Sequence, residues 1–306
     1  MAPSVQLRMG GYQGAKSVHT RAGHILGAEW QRRFPDGGFA FEDDVTKRGR
    51  PSIALFDMVE GDELDLCYFA SSYLVHRVPN LAIFDLPFEI TDRASVYAKL
   101  DGALGRAIAD DVARRTGFTV LGYWDNGFRH LSNRLRPLRA PADCRGLTIR
   151  TMNSAVHQKG FAALGFEPTF IDVKDFPDAV RSGTVDAQDN PLTNIVNFKI
   201  HESHPYVTMS GHFYGVALVL GNAARITALP HAARAALDAA MVEATEAQRG
   251  FAAEDDVVCL QELQAAGVEI LEPGSFDREA FARATAGVVE SEAAALDPQI
   301  LAHLRN

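Results

Sequence analysis

Two arginines and one asparagine stand where the sequence predicts strands to end. Arg150 follows the apolar run of "LTIRT", Arg129 follows the glycine of "WDNGFRHLSNR", and Asn190 precedes the proline of "VDAQDNPL". A guanidinium presents a planar fork of N–H donors, and a carboxamide can donate beside it. If these three strand ends converge, their chemistry is that of a carboxylate receptor.

Internal ion pairing is the alternative for both arginines. A buried charge is tolerated when an opposite charge pairs with it, and the sequence offers four candidate partners: Asp125, Asp172, Asp186 and Asp189. Spacing alone does not separate a ligand-binding arginine from one that is paired within the protein, so both interpretations stay open at this point.

The elements that would position these residues alternate along the chain. Strand-like runs at 5–9, 39–41, 64–69 and 119–124 are separated by helical runs, and a second round begins at 147–150. This alternation favours βα units and two largely parallel sheets. Carboxyl ends of parallel strands meet at one edge of a sheet, which is where ligand clefts form.

Two helical runs are unusually long. A helix capped at Thr91 or Asp92 is predicted to continue to Gly117. Residues 232–266 are rich in Ala and Glu, which predicts one very long helix or two consecutive helices. At about 1.5 Å per residue, a single helix there is long enough to span two lobes.

Composition narrows the classes of protein. The chain has 306 residues, a net charge of −9 and 47% hydrophobic residues. This length is enough for two domains. The negative net charge argues against sequence-wide binding of nucleic acid. The sequence contains no apolar run that is long enough to predict a membrane-spanning helix. Three cysteines, Cys67, Cys144 and Cys259, are expected to be buried thiols, with one optional disulfide left open.

Cofactor, metal and compartment signals are weak. "HESH" at 201–204 offers two histidines without a marked third ligand, so no metal or cofactor is predicted. No catalytic residue is assigned.

The first residues lack the regions of a signal peptide, so the protein is either cytoplasmic or an exported protein whose signal has been removed.

Several longer segments resemble a known family. "NGFRHLSNR", "RAPADCRGLTIRTMNS", "ALGFEPTFIDVKDFPDAVRSGTVDAQDNPL" and "SGHFYGVALVLGN" are similar to the solute-binding proteins of TRAP (tripartite ATP-independent periplasmic) transporters. The resemblance covers nearly the whole chain. It departs from the family pattern at Ala187 and Asp189, where glycine and glutamate are more usual.

The resemblance implies an α/β, two-lobed, periplasmic-binding-protein-like fold (type II, Venus-flytrap) with a long connecting helix. The expected lobes are 1–124 plus about 213–250, and 125–212 plus about 251–306. Arg150 corresponds to the family's carboxylate clamp, Arg129 and Asn190 to further pocket positions, and the loop containing Ser71 and Tyr73 to a specificity site. The implied partners are a small carboxylate and the membrane subunits of a TRAP transporter, and the implied compartment is periplasmic.

Aromatic residues add a predicted wall to the cleft: Tyr12, Tyr73, Trp124, Phe213 and Tyr214. Each of them also fits a place in the core. The resulting hypothesis is a receptor for an organic acid, not an enzyme. The alternatives are a cytoplasmic α/β enzyme acting on a carboxylic acid and a ligand-sensing module. The sequence does not name the acid.

Overall fold

The computed structural model describes residues 5–306, which form alternating strands and helices. Nine β-strands lie in this range: β1 (Gln6–Gly10), β2 (Gly38–Glu42), β3 (Leu66–Ala70), β4 (Phe118–Asn133), β5 (Thr148–Thr151), β6 (Glu167–Phe170), β7 (Ala187–Asn190), β8 (Tyr206–Asn222) and β9 (Glu269–Leu271). The same range contains eleven α-helices: α1 (Val18–Arg33), α2 (Ala54–Glu60), α3 (Arg93–Leu100), α4 (Ala103–Arg115), α5 (Ala155–Ala163), α6 (Phe176–Arg181), α7 (Leu192–Asn197), α8 (Ala223–Thr227), α9 (His231–Ala265), α10 (Arg278–Ala293) and α11 (Pro298–Arg305).

The strands are connected in a single sheet. Its order is β2-β1-β3-β8-β4-β7-β5-β6, with β9 beside β8. β1 pairs in parallel with β2 and β3, and β5 pairs in parallel with β6 and β7. The prediction of two separate sheets is wrong, because β4 and β8 pair antiparallel with each other and join the two groups. β4 has 16 residues and β8 has 17, so both strands are long enough to extend from one group of strands to the other.

β4 also differs from its prediction. The sequence predicts a strand end near Trp124 and a turn at Gly127, but β4 continues to Asn133. Gly127 has a φ of +86° and lies at a shift in the β4–β8 register, which makes the expected turn a β-bulge. Gln248 of α9 holds the bulge, since its side chain accepts from the Asp125 N–H and donates to the Asp125 carbonyl, each at 2.7 Å. Arg129 therefore lies within a strand.

The two long helical runs have different outcomes. The run predicted up to Gly117 is divided into α3 and α4, because Gly102 has φ −107° and ψ −137°, far from helical values. The run at 232–266 is the single helix α9, with 35 residues and a length of roughly 50 Å. It packs against β4 and against α1 and α7, which are helices that follow strands of the two different groups.

The core is divided in a way that matches two lobes. One large apolar cluster covers the group β1–β3 with α1–α4 and the first half of α9. Two smaller clusters cover the group β5–β7: one includes Ile149 and Phe161, the other Phe176 and Ile195. We call the β1–β3 group with its helices the first lobe and the β5–β7 group with its helices the second lobe.

The exact lobe boundaries stay a prediction, and the packing suggests one change. Ile300 and Leu304 of α11 belong to the large apolar cluster of the first lobe. Phe281 of α10 belongs to a cluster of the second lobe. We therefore propose that α11 is part of the first lobe, although the sequence places all of 251–306 in the second.

Three further features concern residues 5–306. Cys67, Cys144 and Cys259 are buried free thiols, which confirms that prediction. No helix in this range combines the length and apolar character that crossing a bilayer requires. In the same range, no group of three or more His, Cys, Asp and Glu side chains is arranged to hold a metal ion.

Candidate functional site

Arg150 is a buried guanidinium that the described residues leave without a carboxylate partner. It occupies the third position of β5 and is only 2% exposed. Its Nε donates to the Ile171 carbonyl at 2.8 Å, and its Cζ lies 4.7 Å from the centre of the Phe176 ring. Burial lowers the pKa of Arg150 below the ordinary value for arginine, and the positive charge of Arg129 acts in the same direction. For Arg150, the internal ion pairs considered above do not form.

Arg129 has the opposite arrangement. It is 1% exposed, its Nε lies 2.5 Å from Oδ2 of Asp189, and its Nη2 donates to the Asp189 carbonyl at 2.6 Å. Nε2 of His212 lies 3.5 Å from the same carboxylate. Of the two alternatives for Arg129, the structure therefore shows the internal ion pair, with Asp189 as the partner. The predicted contact of Arg129 with a ligand stays a prediction.

The charge on Asp189 is strongly favoured. Burial by itself raises the pKa of this carboxyl, but the charge of Arg129 and hydrogen bonds from His212 and Arg129 outweigh burial and hold the pKa well below its ordinary range. The positive charge of Arg129 is thus matched inside the protein. A ligand carboxylate near these two arginines would find its unmatched partner in Arg150.

Asn190, the last residue of β7, also has partners within the protein. Its Nδ2 donates to Oε1 of Gln188 at 2.6 Å, and its Oδ1 accepts from Nδ2 of Asn194 at 3.2 Å. It lies opposite His130 in the β4–β7 ladder. The predicted role of Asn190 as a donor to the ligand therefore stays a prediction, and it requires a change in this hydrogen bonding.

Tyr73 and Tyr12 lie on the first-lobe side of the two arginines. Tyr73 is buried in the short 3-10 helix Ser71–Leu74 that follows β3. Burial raises the pKa of Tyr73, and the positive charges of Arg150 and Arg129 act against that rise. Burial and the neighbouring Tyr73 raise the pKa of Tyr12, and the positive charge of Arg129 acts against that rise. Tyr73 therefore lies near both arginines, and Tyr12 lies near Tyr73 and Arg129.

Phe213, Tyr214 and Arg129 line one small enclosed cavity of about 10 Å³. Ser71 is buried beside this region, and its neighbour Ser72 is part of the lining. The structure therefore brings Phe213 and Tyr214 to Arg129, and Tyr73 to Arg150. Tyr12 packs against Tyr68 and Phe69. A cavity of this size holds about one water molecule, so an organic acid requires the surrounding residues to separate.

Sequence reasoning missed a polar cluster in the lining of this cavity. Asp85 of the first lobe accepts from Ser72 Oγ at 2.6 Å and from Ser154 Oγ at 2.8 Å. Nε2 of His157, in the second lobe, lies 3.2 Å from the same carboxylate. We call Ser72, Asp85, Ser154 and His157 the Asp85 cluster. One sequence signal was available, namely an aspartate within the apolar run "LAIFDLPF".

The Asp85 cluster joins the two lobes through hydrogen bonds to one carboxylate. Burial by itself raises the pKa of Asp85, but His157, Ser72 and Ser154 together outweigh burial and lower the pKa below its ordinary value. The carboxylate is therefore ionised near neutral pH. A ligand in the adjacent cavity meets a negative charge on this side.

The chain also matches the model of a known protein family. Residues 50–295 match the family model described as bacterial extracellular solute-binding protein, family 7 (DctP). The chain belongs to this family. Its predicted membership of the TRAP solute-binding proteins is thereby confirmed.

Two relatives match most of the chain. A solute-binding protein of Verminephrobacter eiseniae is 33% identical over 81% of this chain and 77% of its own length. The 2,3-diketo-L-gulonate-binding periplasmic protein YiaO of Escherichia coli is 30% identical over 76% of this chain and 70% of its own length.

A solved structure of a TRAP solute-binding protein confirms the predicted fold. The TRAP periplasmic solute-binding protein of Bordetella bronchispeptica, with density interpreted as pantoate, has a TM-score of 0.91 and 27% sequence identity. The match covers 99% of both chains. The two-lobed α/β architecture with a long connecting helix is therefore the architecture of this chain.

Proposed function

We propose that this chain is the periplasmic receptor of a TRAP transporter and that it captures an organic acid by binding the acid's carboxylate to Arg150. The observation that carries the proposal is the buried guanidinium of Arg150, which has no carboxylate partner among the described residues. A buried unpaired charge costs several kcal/mol. A ligand carboxylate removes this cost by supplying the missing partner.

The orientation of Arg150 suits this role. Its Nε donates to the Ile171 carbonyl and Tyr73 lies beside the guanidinium, while no carboxylate of the described residues pairs with the two Nη groups. The Phe176 ring beneath the guanidinium limits its movement. Because a planar guanidinium binds both oxygens of a carboxylate, the pair is stronger than a neutral hydrogen bond.

Entry of the ligand requires the lobes to move apart. The cavity beside Arg129 has a volume of about 10 Å³, and the Asp85 cluster connects the lobes across it. We expect hinge opening about the strands and helix that the lobes share, followed by closure on the ligand. Small-angle scattering then gives a smaller radius of gyration with ligand than without it. Equal radii, with binding measured separately, argue against the hinge.

The central test is a thermal-shift screen of mono- and dicarboxylic acids, with Arg150→Ala as the matched variant. At a hundredfold excess over Kd, a ligand stabilises the folded state by about 2.7 kcal/mol. The wild-type melting temperature should rise by several degrees and that of the variant by much less. The protein is first unfolded and refolded so that no copurified ligand occupies the site. If no acid raises the melting temperature, the proposal is wrong.

A receptor releases its ligand unchanged, and this separates the proposal from a cytoplasmic enzyme with Arg150 as substrate clamp. The acid found by the screen is incubated with the protein and recovered. Mass spectrometry should find it unaltered. A product that accumulates with the wild type and not with Arg150→Ala supports the enzyme instead.

The membrane partner also separates the receptor from a sensing module. Proteoliposomes that contain the TRAP membrane subunits should take up the acid only when the receptor is added. The positive control is another receptor that supports uptake by the same transporter. If this protein binds the acid but supports no uptake in that system, the result favours a ligand-sensing module.

A further inference from the structure

The loop between β6 and α6, residues 171–175, contacts both Arg150 and the first lobe. The Ile171 carbonyl accepts from Arg150 Nε at 2.8 Å. The next side chain, Asp172, accepts from the Ser52 hydroxyl of the first lobe, with 3.2 Å between Oγ and Oδ2. Neighbouring residues of one loop thus contact the proposed carboxylate clamp and form a hydrogen bond to the opposite lobe.

Two more residues of the β6–α6 loop reach the first lobe. Val173 packs against the large apolar cluster of that lobe, and Lys174 Nζ lies 3.4 Å from the Gly49 carbonyl. Gly49 and Ser52 belong to the connection between β2 and α2. In the sheet, β2 and β6 are at opposite ends of the strand order, with β4 and β8 between them. These contacts therefore join the lobes away from β4 and β8, the strands about which we expect the hinge to open.

The Ser52 hydroxyl is bonded only across the cleft. Ser52 is fully buried, and among the described residues Asp172 is the sole hydrogen-bond partner of its hydroxyl. A hydrogen bond to an ionised carboxylate is stronger than a neutral one. Because this bond exists only while the lobes are together, it stabilises the closed protein and not the open protein. A contact of that kind shifts the balance between the two states.

Building on the proposed function, we propose that Ser52 and Asp172 form a latch that closes the cleft over the acid bound to Arg150. The acid leaves only when the lobes separate, and separation breaks the latch, so the latch sets the dissociation rate. It does not speed association, because the acid first meets the open protein, in which the bond is absent. Ser52 and Asp172 act by holding the β6–α6 loop in position and not by contact with the acid.

Stopped-flow binding of the acid found by the screen, followed by the intrinsic fluorescence of the protein, measures both rates. Ser52→Ala removes the hydroxyl without changing the β6–α6 loop, so dissociation should be about tenfold faster. Association should be unchanged or faster, because weakening the closed state enlarges the open fraction. Ser95→Ala removes an exposed hydroxyl of the same lobe and should change neither rate. An unchanged dissociation rate in Ser52→Ala, or slower association, contradicts the latch.

Asp172→Asn tests whether the two residues act together. This variant keeps an acceptor and loses the charge, so dissociation should be faster than in the wild type and slower than in Ser52→Ala. When the two changes are combined, dissociation should be little faster than in Ser52→Ala alone, because both act on the same bond. Effects that multiply would mean that the residues act independently, which contradicts the latch.

Two kinds of failure are distinguishable. If acids bind the wild type but the variants show the contradicting rates, the latch is wrong and the proposed function stands. If the wider screen finds no acid, the proposed function fails and the latch fails with it. Circular dichroism checks that each variant is folded. If Ser52→Ala does not fold, Asp172→Asn decides alone, through faster dissociation without slower association.

Discussion

Arg150 and Arg129 are buried to the same depth on strands of one sheet, and they differ in what surrounds their charge. β7 lies between their strands, and neither side chain is more than 2% exposed. Arg129 has Asp189 as an internal partner, whereas Arg150 has a carbonyl and an aromatic ring. Burial alone therefore does not identify a binding arginine. The presence or absence of a carboxylate partner is the difference on which the proposed role of Arg150 rests.

The comparison also separates two energetic roles. The Arg129–Asp189 pair joins β4 to β7 and belongs to the stability of the fold, because removing one partner leaves the other charge buried alone. Arg150 has no carboxylate partner among the described residues, and in the proposed function the ligand supplies one. The following predictions are ordered by the size of the expected effect.

The first prediction concerns binding. Arg150→Ala leaves the ligand carboxylate buried without its partner, at a cost of about 3–5 kcal/mol. Affinity should therefore fall by roughly a hundredfold or more, since each 1.4 kcal/mol is about tenfold. Calorimetry measures the affinity, and circular dichroism checks that the variant is folded. Wild-type affinity in the variant would mean that the difference between the two arginines has no consequence for binding.

The second prediction concerns stability. Arg129→Ala should lower the free energy of unfolding by about 3–5 kcal/mol, because Asp189 is left buried and charged. Urea titration of ligand-free protein measures this loss. Adding Asp189→Asn to Arg129→Ala should restore part of the stability. Arg150→Ala should show no loss of this size, and an equal loss in both single variants would remove the distinction.

The third prediction refines the role of Arg150. Arg150→Lys keeps the positive charge but loses the planar fork, so it should recover only part of the affinity that Arg150→Ala loses. We expect a Kd about tenfold weaker than that of the wild type. A Kd equal to the wild-type value would show that charge alone, without bidentate geometry, holds the carboxylate.

The fourth prediction concerns pH. The pKa of Asp189 is lower in the folded protein than in the unfolded chain. Its stabilising effect is therefore complete above the ordinary pKa of aspartate, about 4, and is lost as the pH falls below that value. Unfolding free energies at about pH 7 and about pH 3 should differ less in Asp189→Asn than in the wild type. An unchanged difference would mean that Asp189 is not the titrating group. Asp178→Asn, an exposed control, should behave like the wild type.

Local sequence patterns predicted the position of Arg150 well. The short apolar run before Arg150 and the helix after it are local features, and both are present as β5 and α5. The ion pair of Arg129 was one of two open alternatives, because Asp189 is 60 residues away in the chain. Only the pairing of β4 with β7 brings these two side chains together.

Two features depended on contacts that the sequence does not reveal. "WDNG" has the composition of a turn, but Gln248 of α9 satisfies the Asp125 backbone and keeps the strand continuous. The Asp85 cluster joins residues of different lobes, and Asp85 and Ser154 are 69 positions apart in the chain. Both features depend on the packing of distant segments, so local propensity and spacing miss them.

The most direct test of the difference between the two arginines is a crystal structure of the protein with its acid bound. The ligand carboxylate should lie within about 3 Å of the Nη atoms of Arg150, the distance of a charge-assisted hydrogen bond. Arg129 should remain paired with Asp189. A carboxylate bound elsewhere, without a contact to Arg150, would contradict the assignment of Arg150 as the carboxylate clamp.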